Sequence, residues 1–281
     1  MPPGLALRAD DGFRAPAPTD LLPPPGPGVW VPTAPTPPIG ASLAHVRPLV
    51  LDSPDQLRPP PPPALTSKAW ARDYNEVKAL GSSARATSTD PTVQAQNLAA
   101  RFWAEAPVQQ ARTTFRRFVQ DKRLDELQAA RYMAMVSVTY TDSLIACMDA
   151  KYAYPFWRPV TAVPAGDTDG NPDTVGDPTW RPLLAATPNH PEYPSAHSCL
   201  TPGGGVIAEH VLGSKRINMT VVSLTNLGDR LFRTTRELST EVANARVWGG
   251  IHYRSAVDAG TAISLRTAKL VVRDHFRPTH R

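Results

Sequence analysis

The sequence predicts an all-α protein: a helical bundle with a long Pro/Gly-rich loop carrying part of the functional site, preceded by a Pro-rich arm. Three observations predict it. From residue 67 onward apolar residues recur every three or four positions, and no window alternates as a strand would. Nineteen of the 32 prolines lie within residues 1–63, which denies that stretch both helix and central strand. Residues 155–195 are crowded with proline and with glycine–aspartate turns such as "AGDTDGNPDTVGD", the mark of a long irregular excursion. The chain therefore divides into an extended arm over 1–66 and a helical domain over 67–281.

The arm ends in "RPPPPPALTS", a polyproline II sequence that would serve as a ligand for a proline-binding module or wrap the domain; wrapping is the expectation. In "SKAWARDYNEVKALG", Trp70, Tyr74, Val77 and Leu80 fall on one helical face before a glycine stop. Residues 90–106 open with Asp90 as N-cap and Pro91 at the first helical position, and Val93, Leu98, Phe102 and Trp103 supply their apolar side. Residues 122–150 carry the strongest pattern: Leu124, Leu127, Ala130, Met133, Val136, Tyr140, Leu144 and Met148. Near "SLIACM" that helix is apolar almost all round, as a central bundle helix would be. Further helices are expected at 198–213, 226–248 and 255–273, and no strands.

A chain of 281 residues with 41% hydrophobic and 20% charged residues can bury a sizeable core. Its formal net charge of +5 tolerates anionic ligands, but without a run of like charges it does not point to nucleic acid. Cys147 and Cys199 lack zinc-ligand spacing; they read as buried thiols, with one bridge between them as the alternative. No apolar stretch reaches membrane-spanning length, and "MPPGLALRADDGFRAP" lacks the pattern of a signal peptide. A cytoplasmic location is the default expectation.

Helical packing leaves three groups of polar residues unexplained. In "KYAYPFWRP", Lys151 ends the long helix and Arg158 precedes a proline, which favours extended geometry at the arginine. In "YPSAHS", Ser195 and His197 stand where a helix begins, so exposed backbone N–H groups and the helix dipole favour an anion. In "ARVWGGIHYRSAVDAG", Arg246 lies near a helix end, two glycines make a turn, and His252 leads into the next helix with Asp258 beyond it. Three cations, a hydroxyl, amide donors and two histidines, with no carboxylate among them, suit a tetrahedral oxyanion such as phosphate or vanadate. They do not suit magnesium or zinc. One histidine can bond the central atom while the other moves protons.

Spacing and order together resemble the superfamily shared by vanadium-dependent haloperoxidases and type 2 phosphatidic acid phosphatases. The signature there is Lys-x6-Arg-Pro, then Pro-Ser-Gly-His, then Ser-Arg-x5-His. This chain has Lys151-x6-Arg158-Pro159, Pro194-Ser195-Ala196-His197 and Ala245-Arg246-x5-His252. The surrounding "PGVWVPT", "RPPPPPAL", "EVKALG" and "NPDTVGDPTW" are similar to the bacterial haloperoxidase-like branch, so the resemblance spans about residues 20–275.

The resemblance implies vanadate as cofactor, with phosphate able to take its place. His252 would be the vanadium ligand; Lys151, Arg158, Ser195, the Ala196 N–H and Arg246 would hold the oxygens; His197 would be the acid–base residue. Trp157 and His190 would line a halide pocket, His190 favouring bromide over chloride. Hydrogen peroxide, halide and a small organic acceptor would be the partners, with self-association open and neither nucleic acid nor membrane involved. The chain departs from the pattern at three places. Ala196 replaces glycine, Ala245 stands where phosphatases have serine, and Ala256 stands where many members have an aspartate. Asp258 is the candidate substitute to orient His252, the alternative being a charge on a solvated face.

Two alternatives accompany the haloperoxidase reading. One is a soluble acid phosphatase that forms a phosphohistidine at His252 with His197 protonating the leaving alcohol. The other is a truncated, non-catalytic relative that binds an oxyanion.

Overall fold

The computed structural model describes residues 8–16 and 23–277. Residues 1–7 and 17–22, within the stretch expected to form an arm, and 278–281 lie outside the described residues. The fold is an all-α bundle. Helix α1 spans Lys68–Leu80, capped by the Ser67 hydroxyl, which accepts the Trp70 N–H at 3.1 Å; Trp70, Tyr74 and Val77 form its buried face. Helix α2 spans Pro91–Phe102, with the Asp90 carboxylate accepting the Thr92 N–H at 2.7 Å. It is shorter than expected because Trp103 to Glu105 turn away, and Leu98, expected on its apolar face, is exposed.

Helix α3, Pro107–Asp121, did not stand out in the sequence, since arginine, glutamine and threonine outnumber its core residues Phe115 and Phe118. Helix α4, Glu126–Ala153, is 28 residues long and starts with a capping box between Asp125 and Gln128. Its buried stripe runs through Tyr132, Met135, Val136 and Thr139, so Leu127 points to solvent despite fitting the periodic pattern. From Ile145 to Tyr152 every residue is buried, which makes α4 a central element just where Lys151 sits.

Helix α5, Ala196–Leu212, packs between α4, α6 (Thr235–Trp248) and α7 (Arg254–Asp274). Its glycines let four elements approach: Gly203 meets Thr139 of α4 and Ser264 of α7, Gly204 meets Phe115 of α3, and Gly205 meets Thr235 of α6. The expected absence of strands is corrected by a small antiparallel pair, β1 (Met219–Val221) and β2 (Arg230–Phe232), with Met219 opposite Phe232. Three-residue strands are too short to imprint an alternating pattern. The helix expected from 226 therefore starts only at Thr235, after β2.

Described parts of residues 23–66 lie along the bundle and are fastened by side chains of α4 and the loop after it. The buried Asp142 carboxylate accepts N–H donors from Leu49, Val50 and Leu51 at 2.7, 2.7 and 2.9 Å. Arg58 pairs with Asp149 at 2.7 Å, and the Tyr152 hydroxyl donates to the Ile39 carbonyl at 2.7 Å. Trp30, Val46, Leu51 and Leu57 are buried. Among the described residues no helix is long and apolar enough to cross a membrane.

Candidate active site

The site is assembled from the last turn of α4, the loop that follows it, the start of α5, the end of α6 and the turn before α7. Lys151 is wholly buried, and its ammonium donates to the Pro191 and Glu192 carbonyls at 2.7 and 3.0 Å. Arg158 has extended backbone (φ −83°, ψ 154°), as the following proline requires, and is also wholly buried. Its Nε donates to the His190 carbonyl at 3.0 Å and its Nη1 to the Ile251 carbonyl at 2.9 Å, with Nη1 3.2 Å from His252 Nε2. Arg246 donates to the Trp103 carbonyl, and its Nε has no partner.

Three cations are thus buried with carbonyl dipoles for company. Burial lowers Lys151 to about 8, Arg158 to about 10 and Arg246 to about 9. Each uncompensated buried charge costs roughly several kcal/mol, so the cluster is poised to accept negative charge.

Ser195 occupies the N-cap of α5, yet its side chain does not cap: the buried Oγ has no partner. A serine at this position ordinarily satisfies a helix amide, so an idle hydroxyl is a group held for something else. His197, in the first turn of α5, likewise has an unpartnered Nε2, while the Glu105 backbone takes the hydrogen bond of its other face. Burial and Arg246 hold it well below the usual imidazole range. His252 is kept well below that range by burial, then by Arg158 and Lys151. Its Nδ1 lies 2.8 Å from Glu192 Oε1, and Nε2 faces the Arg158 guanidinium. In the turn before His252, Gly250 adopts φ +73°, a left-handed conformation that suits glycine.

Part of this cluster opens on a cavity of about 320 Å³, while Lys151, Arg158 and Ser195 stand behind its lining. His190, Ala196, His197, Arg246 and His252 form its polar end, and Ile39, Leu43, Leu144, Met148 and Leu200 its apolar walls. At His190, Nδ1 accepts from Arg158 Nη2 at 2.9 Å, which places the ring proton on Nε2. The Pro191 carbonyl, 3.1 Å from Nδ1, takes the Lys151 proton instead.

A family model described as the VCPO second helical-bundle domain matches residues 131–280, which include every residue of the cluster. The chain belongs to that family. Among similar proteins, vanadium chloroperoxidase of Curvularia inaequalis is 40% identical over 86 residues, 27% of this chain and 13% of that protein. The crystal structure of a bacterial vanadium-dependent iodoperoxidase matches with TM-score 0.73 and 28% identity over 88% of this chain and 61% of that one. A bacterial vanadium-dependent chloroperoxidase in its holo form shares the fold, with TM-score 0.64 and 19% identity over 82% and 53%. The chain therefore spans less than two thirds of the length of these relatives.

The cluster fits a tetrahedral oxyanion. Three buried cations and the unpartnered Ser195 Oγ, Arg246 Nε and His197 Nε2 are donors and acceptors left for a polar occupant. Among the described residues no group of acidic, histidine or cysteine side chains could hold a bare metal cation.

The structure brings together Lys151, Arg158, Ser195, Ala196, Arg246, His190, His197 and His252, and leaves two expected members of the site outside it. Trp157 does not line the cavity; it stacks on Trp70, ring centroids 5.9 Å apart, within the aromatic cluster formed with Phe156 and Tyr253. Its neighbour in the chain, Arg158, turns inward instead. Asp258 is exposed, and Glu192 holds the His252 nitrogen that Asp258 was expected to hold. The expectation that no carboxylate accompanies the cluster is corrected by the same residue. Glu192 gave no periodic or motif signal; a lone acid inside "HPEYP" was the only trace of it.

Proposed function

We propose that the chain is a vanadate-dependent haloperoxidase, which oxidises halide with hydrogen peroxide to a hypohalous species. The observation that carries this reading is the buried cationic cluster with idle Ser195 Oγ, Arg246 Nε and His197 Nε2, joined by His252, whose Nε2 meets only the Arg158 guanidinium among the described side chains. Lys151, Arg158 and Arg246 bind the oxyanion by charge, Ser195 by its hydroxyl, and Ala196 by its N–H at the first position of α5. His252 supplies Nε2 as the ligand to vanadium. Bound vanadate supplies a Lewis acid of constant oxidation state that polarises peroxide.

The protein's own part is proton handling, orientation and exclusion of water. With its other nitrogen tied to the Glu105 backbone, His197 presents an unprotonated Nε2 that takes a proton from incoming peroxide and returns it as water leaves. His190 lines the cavity and, with Nδ1 against Arg158, would offer its Nε2 proton as a donor for a halide, which is the basis for bromide over chloride. The apolar walls keep the halide poorly hydrated. The cavity is larger than peroxide and halide need, which supports a small organic acceptor beside them.

The test is to load metal-free protein with orthovanadate, then supply peroxide, bromide and a cyclic dione reporter. Bromination that inorganic phosphate suppresses is the expected result. Absence of bromination, with phosphate-ester hydrolysis that disappears in His252→Ala, would replace this reading by the phosphatase one. Neither activity, with phosphate still raising the thermal midpoint, would leave an oxyanion-binding protein without turnover.

A further inference from the structure

Nothing in the first turn of α7 can hold His252. Ala256, one helical turn beyond the histidine, is wholly buried and carries no acceptor, and Asp258 is exposed. The Asp73 carboxylate is occupied with the Ser255 N–H at 3.2 Å. Glu192 comes instead from the loop that leads into α5, sixty residues earlier in the chain. It is wholly buried, and its Oε1 receives two donors, the Tyr253 N–H at 3.0 Å and His252 Nδ1 at 2.8 Å.

We infer that Glu192 is the positioning residue of this site, locking His252 in the tautomer that carries its proton on Nδ1 and offers the Nε2 lone pair to the oxyanion. The inference rests on the oxyanion-site reading and adds a residue to it. Two opposed contacts define the tautomer. An oxygen that already accepts the Tyr253 N–H draws the imidazole proton to Nδ1, and Arg158 Nη1, which can only donate, faces Nε2. Without the Glu192 contact the imidazole loses the acceptor that draws its proton to Nδ1 and keeps only the Arg158 contact, and the tautomer protonated at Nε2 cannot donate a lone pair to a bound group.

The same short segment orients two other members. The His190 carbonyl accepts from Arg158, and the Pro191 and Glu192 carbonyls accept from Lys151. Those are backbone contacts, so changing the Glu192 side chain removes the hold on His252 while the two cations keep theirs. That separation makes the residue testable.

The experiment is nitrogen-15 NMR of the histidine side chains in the full chain without added oxyanion, paired with calorimetric titration by orthovanadate. The wild-type His252 signal, assigned by its loss in His252→Ala, is expected to show a protonated Nδ1 and a bare Nε2 near pH 7. Glu192→Ala is expected to shift His252 towards protonation at Nε2 and to weaken orthovanadate binding about 10- to 100-fold. Glu192→Gln keeps an acceptor oxygen and is expected to recover most of the Nδ1 tautomer and part of the affinity. Should Glu192→Ala fail to fold, the glutamine variant and the wild-type tautomer carry the test. A wild-type His252 protonated at Nε2, or an unchanged tautomer and affinity in a folded Glu192→Ala protein, overturns the proposal. The tautomer is read without any oxyanion, so failure of the haloperoxidase reading leaves this outcome distinct.

Discussion

The Arg158 guanidinium stands 3.2 Å from His252 Nε2, with both side chains buried. A fixed cation thus faces the nitrogen that the oxyanion reading assigns to vanadium. An entering oxyanion turns that contact to advantage, because its negative oxygens offset the charge that burial made costly.

Removing Arg158 should weaken oxyanion binding by about 10- to 100-fold, the weight of one charge-assisted hydrogen-bond donor of roughly 1.5–3 kcal/mol. Arg158→Ala and Arg158→Lys, titrated calorimetrically with inorganic phosphate, check this. Lysine should recover only part of the loss, since a point charge cannot serve His190, Ile251 and the oxyanion together. Equal affinity for Arg158→Ala and wild type would remove this arginine from the site.

Protonation should set a pH window on stability. His197 lies well below its ordinary 6.5 in the folded protein, because burial and then Arg246 oppose its charge. Below 6.5 the unfolded chain binds a proton that the folded chain refuses, so this histidine's contribution falls as pH drops. His190 and His252 act in the same direction, and Glu192, raised to about 8 by burial, acts in the opposite one between 4.5 and 8. Replacing His197 by glutamine should therefore flatten the decline between pH 7 and 5 by up to about 1.4 kcal/mol per pH unit. Urea unfolding of both proteins at the two pH values measures it; parallel declines would refute the assignment.

The six residues with motif spacing were readable because each motif keeps its members at one junction between helices. The end of α4, the start of α5 and the turn before α7 then converge through packing that the apolar stripes encode. Glu192 was unreadable for the converse reason: its partner His252 lies sixty residues away, and one acid in a loop has no period. Trp157 misled because its surroundings come from α1, whose Trp70 claims the ring. Leu98 and Leu127 fit helical spacing yet face solvent, since a periodic match marks a candidate face without saying that a neighbour will cover it.

The hold of α4 on the segment around Leu49 should be strongly destabilised by Asp142→Asn. The amide places a donor where two backbone N–H groups now find an oxygen, at Val50 and Leu51. Leaving buried donors unsatisfied costs about 1–3 kcal/mol each, so a loss of about 2–4 kcal/mol in denaturant unfolding is expected. Phosphate affinity of the folded variant should stay within about twofold, because Asp142 lies more than two turns of α4 before Lys151. A loss below about 0.5 kcal/mol would show that these contacts do not fasten the segment.

Gly260 should prove as necessary to the site as a residue that touches the anion. A Cβ there would stand 2.6 Å from the Ser195 carbonyl, 3.0 Å from Ser198 Cβ and 3.1 Å from the Cys199 nitrogen. The Ser195 carbonyl accepts the Cys199 N–H at 2.9 Å, an opening hydrogen bond of α5, so the methyl group presses on the backbone that aims the serine hydroxyl and the Ala196 amide. Gly260→Ala should cost about 1–3 kcal/mol of stability, as overpacking does, and weaken phosphate binding about tenfold through displacement of those donors. Gly26→Ala, with nothing within 4 Å of its added methyl, is the control and should change neither. Stability lost without loss of phosphate affinity would mean that α5 shifts as a unit, carrying its donors with it.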